Sequence, residues 1–130
     1  MTTLKFGAVI FTIDHARLAM FYAETTARVR QSGDATRTVL ASDSFELVLH
    51  NLRGEPSVVP VGDSAAAPRE HACVKLFFPV TRLAAARARC AANGGRVLPP
   101  EREWNGRGFR ACDAFDPDGN VMQFRESAAG

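Results

Sequence analysis

The side chains of this chain best equipped for chemistry sit on short extended stretches. Along Phe45-Glu46-Leu47-Val48-Leu49-His50 the strand period of two puts Phe45, Leu47 and Leu49 on one face and Glu46, Val48 and His50 on the other. A carboxylate and an imidazole on one face are the raw material of acid–base or metal chemistry. His71, Cys73 and Lys75 share one parity, so a strand running through them would present all three together. Near the C-terminus, Gln123 and Arg125 share a face and offer a polar anchor for a carboxylate or a carbonyl. His50 and His71 also read simply as a strand-end and a loop-end residue near solvent, since neither falls in a metal motif such as H-x-x-x-H. Cys73 and Cys112 are nucleophiles in name only, because no His–Asp partner set accompanies them and buried cysteine usually acts as a small hydrophobe. Trp104, the single tryptophan, lies in the polar, Gly-containing segment Glu101–Gly108. There it suits either stacking on a planar ligand or plugging a core or dimer interface. Phe109 and Phe115 read as core.

These residues need elements to position them. Leu4 to Ile13 is rich in Phe, Val and Ile and predicts a buried strand. Asp14 suits a helix N-cap, and Leu18, Phe21 and Tyr22 follow at i, i+3 and i+4, so a helix is predicted from Asp14 to about Thr26. Gly33-Asp34 marks a turn, and strands are expected at Thr36–Ala41 and Phe45–His50. Arg53 to Arg69 shows no period and carries Gly54, Pro56, Pro60, Gly62 and Pro68. It reads as a long loop, functional or mobile, with its apolar patch Val58-Val59-Pro60-Val61 packed down.

The second half repeats the order. A strand is expected at Cys73–Val80, then a helix at Thr81–Asn93 ended by Gly94-Gly95 in the left-handed conformation. A short strand Arg96–Leu98 stops at Pro99-Pro100. Strands Gly108–Phe115 and Val121–Glu126 are joined by Asp116-Pro117-Asp118-Gly119-Asn120, a hairpin by its turn chemistry. Neither half alone is expected to close a core, so the two halves must pair, within one chain or across a dimer.

Length and composition agree with a globular protein. The 130 residues fit one domain, large enough to bury roughly two-thirds of its unfolded surface. Hydrophobic residues at 46% and charged residues at 23% argue against disorder. A net charge of +2 without a run of five like charges gives no indication of a nucleic-acid footprint. Three cysteines without C-x-x-C spacing make a disulfide framework or structural zinc site improbable and point to a reducing, cytoplasmic setting. The start lacks the apolar run of a signal peptide, and no stretch approaches the ~20 apolar residues of a membrane span.

The strand ending in Asp14, the helix carrying Phe21-Tyr22, the long middle loop, the second strand–helix unit and the terminal Asp-Pro-Asp-Gly-Asn hairpin resemble the glyoxalase / bleomycin-resistance / extradiol-dioxygenase superfamily, the vicinal oxygen chelate family. The resemblance implies an α+β fold: two βαβββ modules forming a curved mixed sheet with an open cup. Residues 1–130 would be a single domain, with modules at 4–52 and 73–126 and a connecting loop at 53–72. In metal-using members four side chains line the cup. By the family's spacing these positions fall on Gly7, Glu46, Lys75 and Gln123. Glycine has no donor atom, an ammonium repels a cation, and members usually carry Glu where this chain has Gln123. The expectation is therefore no metal; were one divalent ion held, Glu46 with His71 would hold it. Glu46 and Lys75 would instead either pair inside the cup, since burying either charge alone costs several kcal/mol, or stand apart as two rim charges worth under ~1 kcal/mol. Phe11, Val9 and Phe77 share faces with Gly7 and Lys75 and would make the cup apolar. The expected ligand contacts are Glu46, Lys75, Gln123, Trp104, Arg125, His50, Phe11 and Phe77. The functional expectation is a metal-independent small-molecule binder, without cofactor, taking an aromatic or amphipathic ligand and assembling as a homodimer, with no nucleic acid and no membrane. The alternatives are a metal-dependent glyoxalase-like lyase or isomerase, or a dioxygenase, using Glu46 with His71 or His50, and an interaction domain whose cup is filled by Phe11, Phe77 and Trp104. Whether the protein is catalytic stays open at this stage.

Overall fold

Apolar and β-branched residues draw the chain into strand β1 (Phe6–Thr12), and Asp14 turns it into helix α1 (His15–Thr26). The Asp14 carboxylate accepts from the Arg17 N–H at 3.3 Å, the expected N-cap. The helix start is also tied down by His15, whose backbone N–H donates to Asn51 Oδ1 at 2.9 Å. Its buried ring donates from Nε2 to the Ala35 carbonyl at 3.1 Å and meets Thr38 Oγ1 through Nδ1 at 2.8 Å. Strands β2 (Val29–Gly33), β3 (Arg37–Ala41) and β4 (Phe45–Asn51) follow. The structure is a computed structural model that describes residues 4–57 and 67–128.

The chain divides into two compact units, Met1–Ala23 with Ala27–Ser64, and Glu24–Thr26 with Ala65–Gly130. The first holds a four-stranded sheet in the order β1-β4-β3-β2, with β1 parallel to β4 and the other pairs antiparallel. Alternation in β4 is as expected: Leu47 and Leu49 are fully buried, whereas Glu46, Val48 and His50 are half-buried. Strand β2 was not legible in the sequence. Its five residues, Val29-Arg30-Gln31-Ser32-Gly33, are all exposed at the sheet edge, so no burial pattern marks them.

The second unit repeats the wiring with β5 (Leu76–Val80), α2 (Leu83–Ala92), β6 (Arg96–Val97), β7 (Trp104–Asn105), β8 (Phe109–Phe115) and β9 (Val121–Ser127). The sheet order is β5-β9-β8-β6, with β7 also paired to β8, and β5 runs parallel to β9. Arg82 cannot cap α2, so Glu126 of β9 accepts from the Leu83 N–H at 2.7 Å. Gly94 ends α2 at φ 87°, as anticipated. In the β8–β9 turn, buried Asp116 accepts from the backbone of Asp118 and Asn120, each at 2.9 Å, and Gly119 adopts φ 81°. The end of the long loop returns here, where the Arg69 N–H donates to the Gly119 carbonyl at 2.9 Å and its guanidinium to Asn120.

Three expectations need correction. Strand β1, read from sequence as buried, is largely exposed because it lies at the edge of its sheet, with Phe6, Val9 and Phe11 88%, 54% and 59% exposed. Strand β5 begins at Leu76, not Cys73, and the chain turns at residues 70–71. Strand parity therefore does not extend back to His71, which is exposed. Trp104 lies on a short strand, β7, rather than in a loop, because Asn105 and Gly106 pair back onto β8. The apolar patch Val58-Val59-Pro60-Val61 lies outside the described residues. Among the described residues, no helix is long and apolar enough to cross a membrane.

Candidate functional site

Cross-strand register decides which side chains share a face. In the second unit, Asp113 of β8 stands opposite Gln123 of β9, and Gln123 opposite Phe77 of β5. Two residues along, Trp104, Ala111, Arg125 and Pro79 form the next row across β7, β8, β9 and β5. Phe109 follows on the same face of β8. Five of the residues singled out from sequence, Lys75, Phe77, Trp104, Gln123 and Arg125, thus belong to one surface.

A continuous polar chain crosses it. Lys75 Nζ lies 2.7 Å from Asp113 Oδ2, Gln123 Nε2 donates to Asp113 Oδ1 at 3.1 Å, and Arg125 Nε donates to Gln123 Oε1 at 2.7 Å. Gln123 is 5% exposed and both ends of its amide are engaged, so it positions Arg125. The Arg125 guanidinium carbon sits 3.6 Å from the ring centroid of Phe77 and 4.2 Å from that of Phe109, a double cation–π contact. Trp104 meets Phe109 edge to face at 5.5 Å, and Arg107 lies 5.7 Å from the same ring.

Trp104 is aimed by its neighbour. The Glu103 carboxylate receives Arg87 Nη2 at 2.7 Å and Arg110 Nε at 2.8 Å, and so fastens the segment before β7 onto α2 and β8. Burial pushes the Glu103 carboxyl up, but the hydrogen bonds and charges of Arg110 and Arg87 outweigh it and hold it below the usual carboxylate range. Phe109 can fold back toward Trp104 because residue 106 is glycine; a Cβ there would lie 2.3 Å from the Phe109 ring.

Three sequence expectations change at this face. Lys75 was expected either to pair with Glu46 or to stand apart on the rim, but its carboxylate partner is Asp113, on the same sheet. Phe109 was assigned to the core; it is half-buried and flanks Arg125, while Phe115 is buried as expected. Asp113 was overlooked. The signal was present, since a hairpin that sets Phe115 opposite Val121 also sets Asp113 opposite Gln123.

In the first unit, Gly7, Glu46 and Ala41 form one row, Val9, Val48 and Val39 the next, and Phe11, His50 and Arg37 a third. Glu46, His50 and Phe11 therefore share a face, as their parity required. His50 donates from Nδ1 to the Asn51 carbonyl at 2.7 Å, which fixes the orientation of the ring. The His50 ring stands 6.0 Å from Phe11, edge to face. Val9 and Phe11 are 54% and 59% exposed, so this face is apolar and open.

The divalent ion implied by the resemblance does not fit these residues. Gly7 supplies no donor, and a Cβ there would lie 2.3 Å from the Glu46 carbonyl oxygen. Lys75 is a cation bound to Asp113. Glu46 and His50 are four residues apart on one strand, roughly 13 Å, and side chains standing off a sheet do not converge over that span. Among the described residues, no three His, Cys, Asp or Glu side chains gather as a metal site would require. The two buried cysteines, Cys90 and Cys112, offer no activated thiol. Burial, and then the Asp116 carboxylate, push Cys90 up to about 12, and burial raises Cys112 as well. Cys73 is exposed.

Comparison with known proteins agrees with this architecture. A family model described as a glyoxalase-like domain matches residues 8–124. No curated protein matches the chain. Among solved structures, an integron cassette protein from V. cholerae is 21% identical, with 97% of this chain and 96% of that one covered and a TM-score of 0.63. A glyoxalase/bleomycin resistance protein/dioxygenase family enzyme from Burkholderia phytofirmans is 13% identical, with 93% and 96% covered and a TM-score of 0.69. A fosfomycin resistance protein from Listeria monocytogenes, solved with Mn(II) and a dihydroxypropylphosphonic acid, is 10% identical, with 99% and 93% covered and a TM-score of 0.66. At these identities the likeness is one of fold.

Proposed function

Since the chain belongs to the glyoxalase-like domain family, we propose that it is a metal-independent small-molecule-binding protein that takes an aromatic or amphipathic ligand. The observation that carries this reading is the polar chain Lys75–Asp113–Gln123–Arg125 set among Phe77, Phe109 and Trp104. Apolar, partly exposed rings with a few fixed polar groups are the composition of a ligand-binding face. The ligand needs no cofactor on this reading, and the protein acts in the cytoplasm, in keeping with cysteines left as free thiols.

A homodimer is part of the same proposal. Strand β1 is an edge of its sheet, and on it Phe6, Val9 and Phe11 are 88%, 54% and 59% exposed. Large apolar side chains along a sheet edge favour association with a second copy.

The test is direct, because Trp104 is the only tryptophan. Naphthol is expected to quench its fluorescence saturably, equally before and after treatment with a chelator, in a protein whose sedimentation corresponds to two chains. Metal analysis showing one divalent ion per chain, or loss of naphthol binding on chelation, overturns the reading and favours a metal-dependent lyase, isomerase or dioxygenase.

A further inference from the structure

We infer that the anchoring group of the second-unit face is the outer fork of Arg125, and that the ligand it selects is a flat aromatic carboxylate. The inference rests on the reading that this face binds a small aromatic molecule, and it names the chemistry within that class.

The polar groups of the face are not equally available. Gln123 is nine-tenths buried with both amide ends engaged, and Lys75 and Asp113 neutralise one another. Arg125 is different. Its Nε is spent on Gln123, but among the described residues Nη1 and Nη2 make no hydrogen bond. Phe77 and Phe109, 3.6 and 4.2 Å from the guanidinium carbon, restrict its movement. A guanidinium held this way has already lost much of the freedom that a flexible cation gives up on binding. Ring contact also removes water from it, which strengthens its attraction for an anion.

Charge points the same way. With Lys75 and Asp113 cancelling, Arg125 and the nearby Arg107 leave the face positive. Two parallel N–H groups match the two oxygens of a carboxylate. The aromatic body of such a ligand has partners at hand in Trp104, 43% exposed, and Phe77, 55% exposed. A neutral aromatic would use the rings and leave the fork to water. An amine would meet a face of its own sign.

The experiment compares naphthoate with its neutral counterpart naphthalenemethanol, each titrated against Trp104 fluorescence. The wild-type protein is expected to bind naphthoate about tenfold more tightly, the gain of one well-placed charged hydrogen-bonded pair. Arg125→Gln should abolish the preference, bringing the ratio of the naphthoate and alcohol affinities to about one. Arg125→Lys, which retains charge but not the fork, should recover only part of the preference; it also reads the effect if the glutamine variant does not fold. Equal binding of the two probes by the wild type, or a preference that survives Arg125→Gln, refutes the carboxylate anchor while the aromatic-binding reading stands. Failure of both probes to bind refutes the inference together with that reading.

Discussion

Asp113 holds the two halves of the polar chain together, and its removal is the most informative single perturbation. In Asp113→Ala two contacts are lost. The Lys75 pair joins side chains 39% and 26% exposed, so solvent screens it and it contributes about 0.2–1 kcal/mol. The second loss is larger. Gln123 is 5% exposed, and without Asp113 Oδ1 its Nε2 is buried with no acceptor, at a cost of about 1–3 kcal/mol. The sum is about 2.5 kcal/mol, which for a chain of this length lowers the melting temperature by roughly 10 °C. Asp113→Asn removes the charge but keeps an oxygen for Gln123, and Lys75→Met removes the ammonium alone, so each should cost under about 1 kcal/mol. Urea denaturation of the three variants, followed by Trp104 fluorescence and circular dichroism at constant m, separates the terms. If Asp113→Ala is no less stable than Lys75→Met, the acceptor role is wrong and the chain is a surface ion pair only.

Two further predictions concern acid and thiol chemistry. The Glu103 carboxyl is held below its usual range, so its stabilisation is fully present above the unfolded value of about 4.3 and is lost as pH falls through the lower folded value. The stability gap between wild type and Glu103→Gln, measured by urea denaturation, should accordingly be widest near neutral pH and narrow below pH ~4; a gap that is constant with pH contradicts the assignment. Of the three thiols, only exposed Cys73 should react quickly with a disulfide reagent near pH 8, while buried Cys90 and Cys112 react only on unfolding; a second fast thiol would refute the burial argument.

Much of this protein was legible without coordinates. The Asp14 cap, the helix through Leu18, Phe21 and Tyr22, the Gly94 stop and the Asp116–Asn120 hairpin are local features, each set by backbone and side-chain chemistry within a few residues. Alternation alone placed Glu46 and His50 on one face and Gln123 and Arg125 on one face, since a strand has no other way to arrange them. The edge strand β2 escaped notice because its side chains are uniformly exposed and leave no pattern. What sequence could not supply was register between strands distant along the chain. The partner of Lys75 depends on which carboxylate the sheet brings within reach of a long, flexible side chain, and that is Asp113, from a strand 38 residues away. The stacking of Arg125 between Phe77 and Phe109 likewise requires β5, β8 and β9 to be set side by side. Local propensity determined the pieces and their faces; only long-range pairing decided which charges met, because hydrogen bonds and ion pairs act over a few ångströms and do not register distance along the chain.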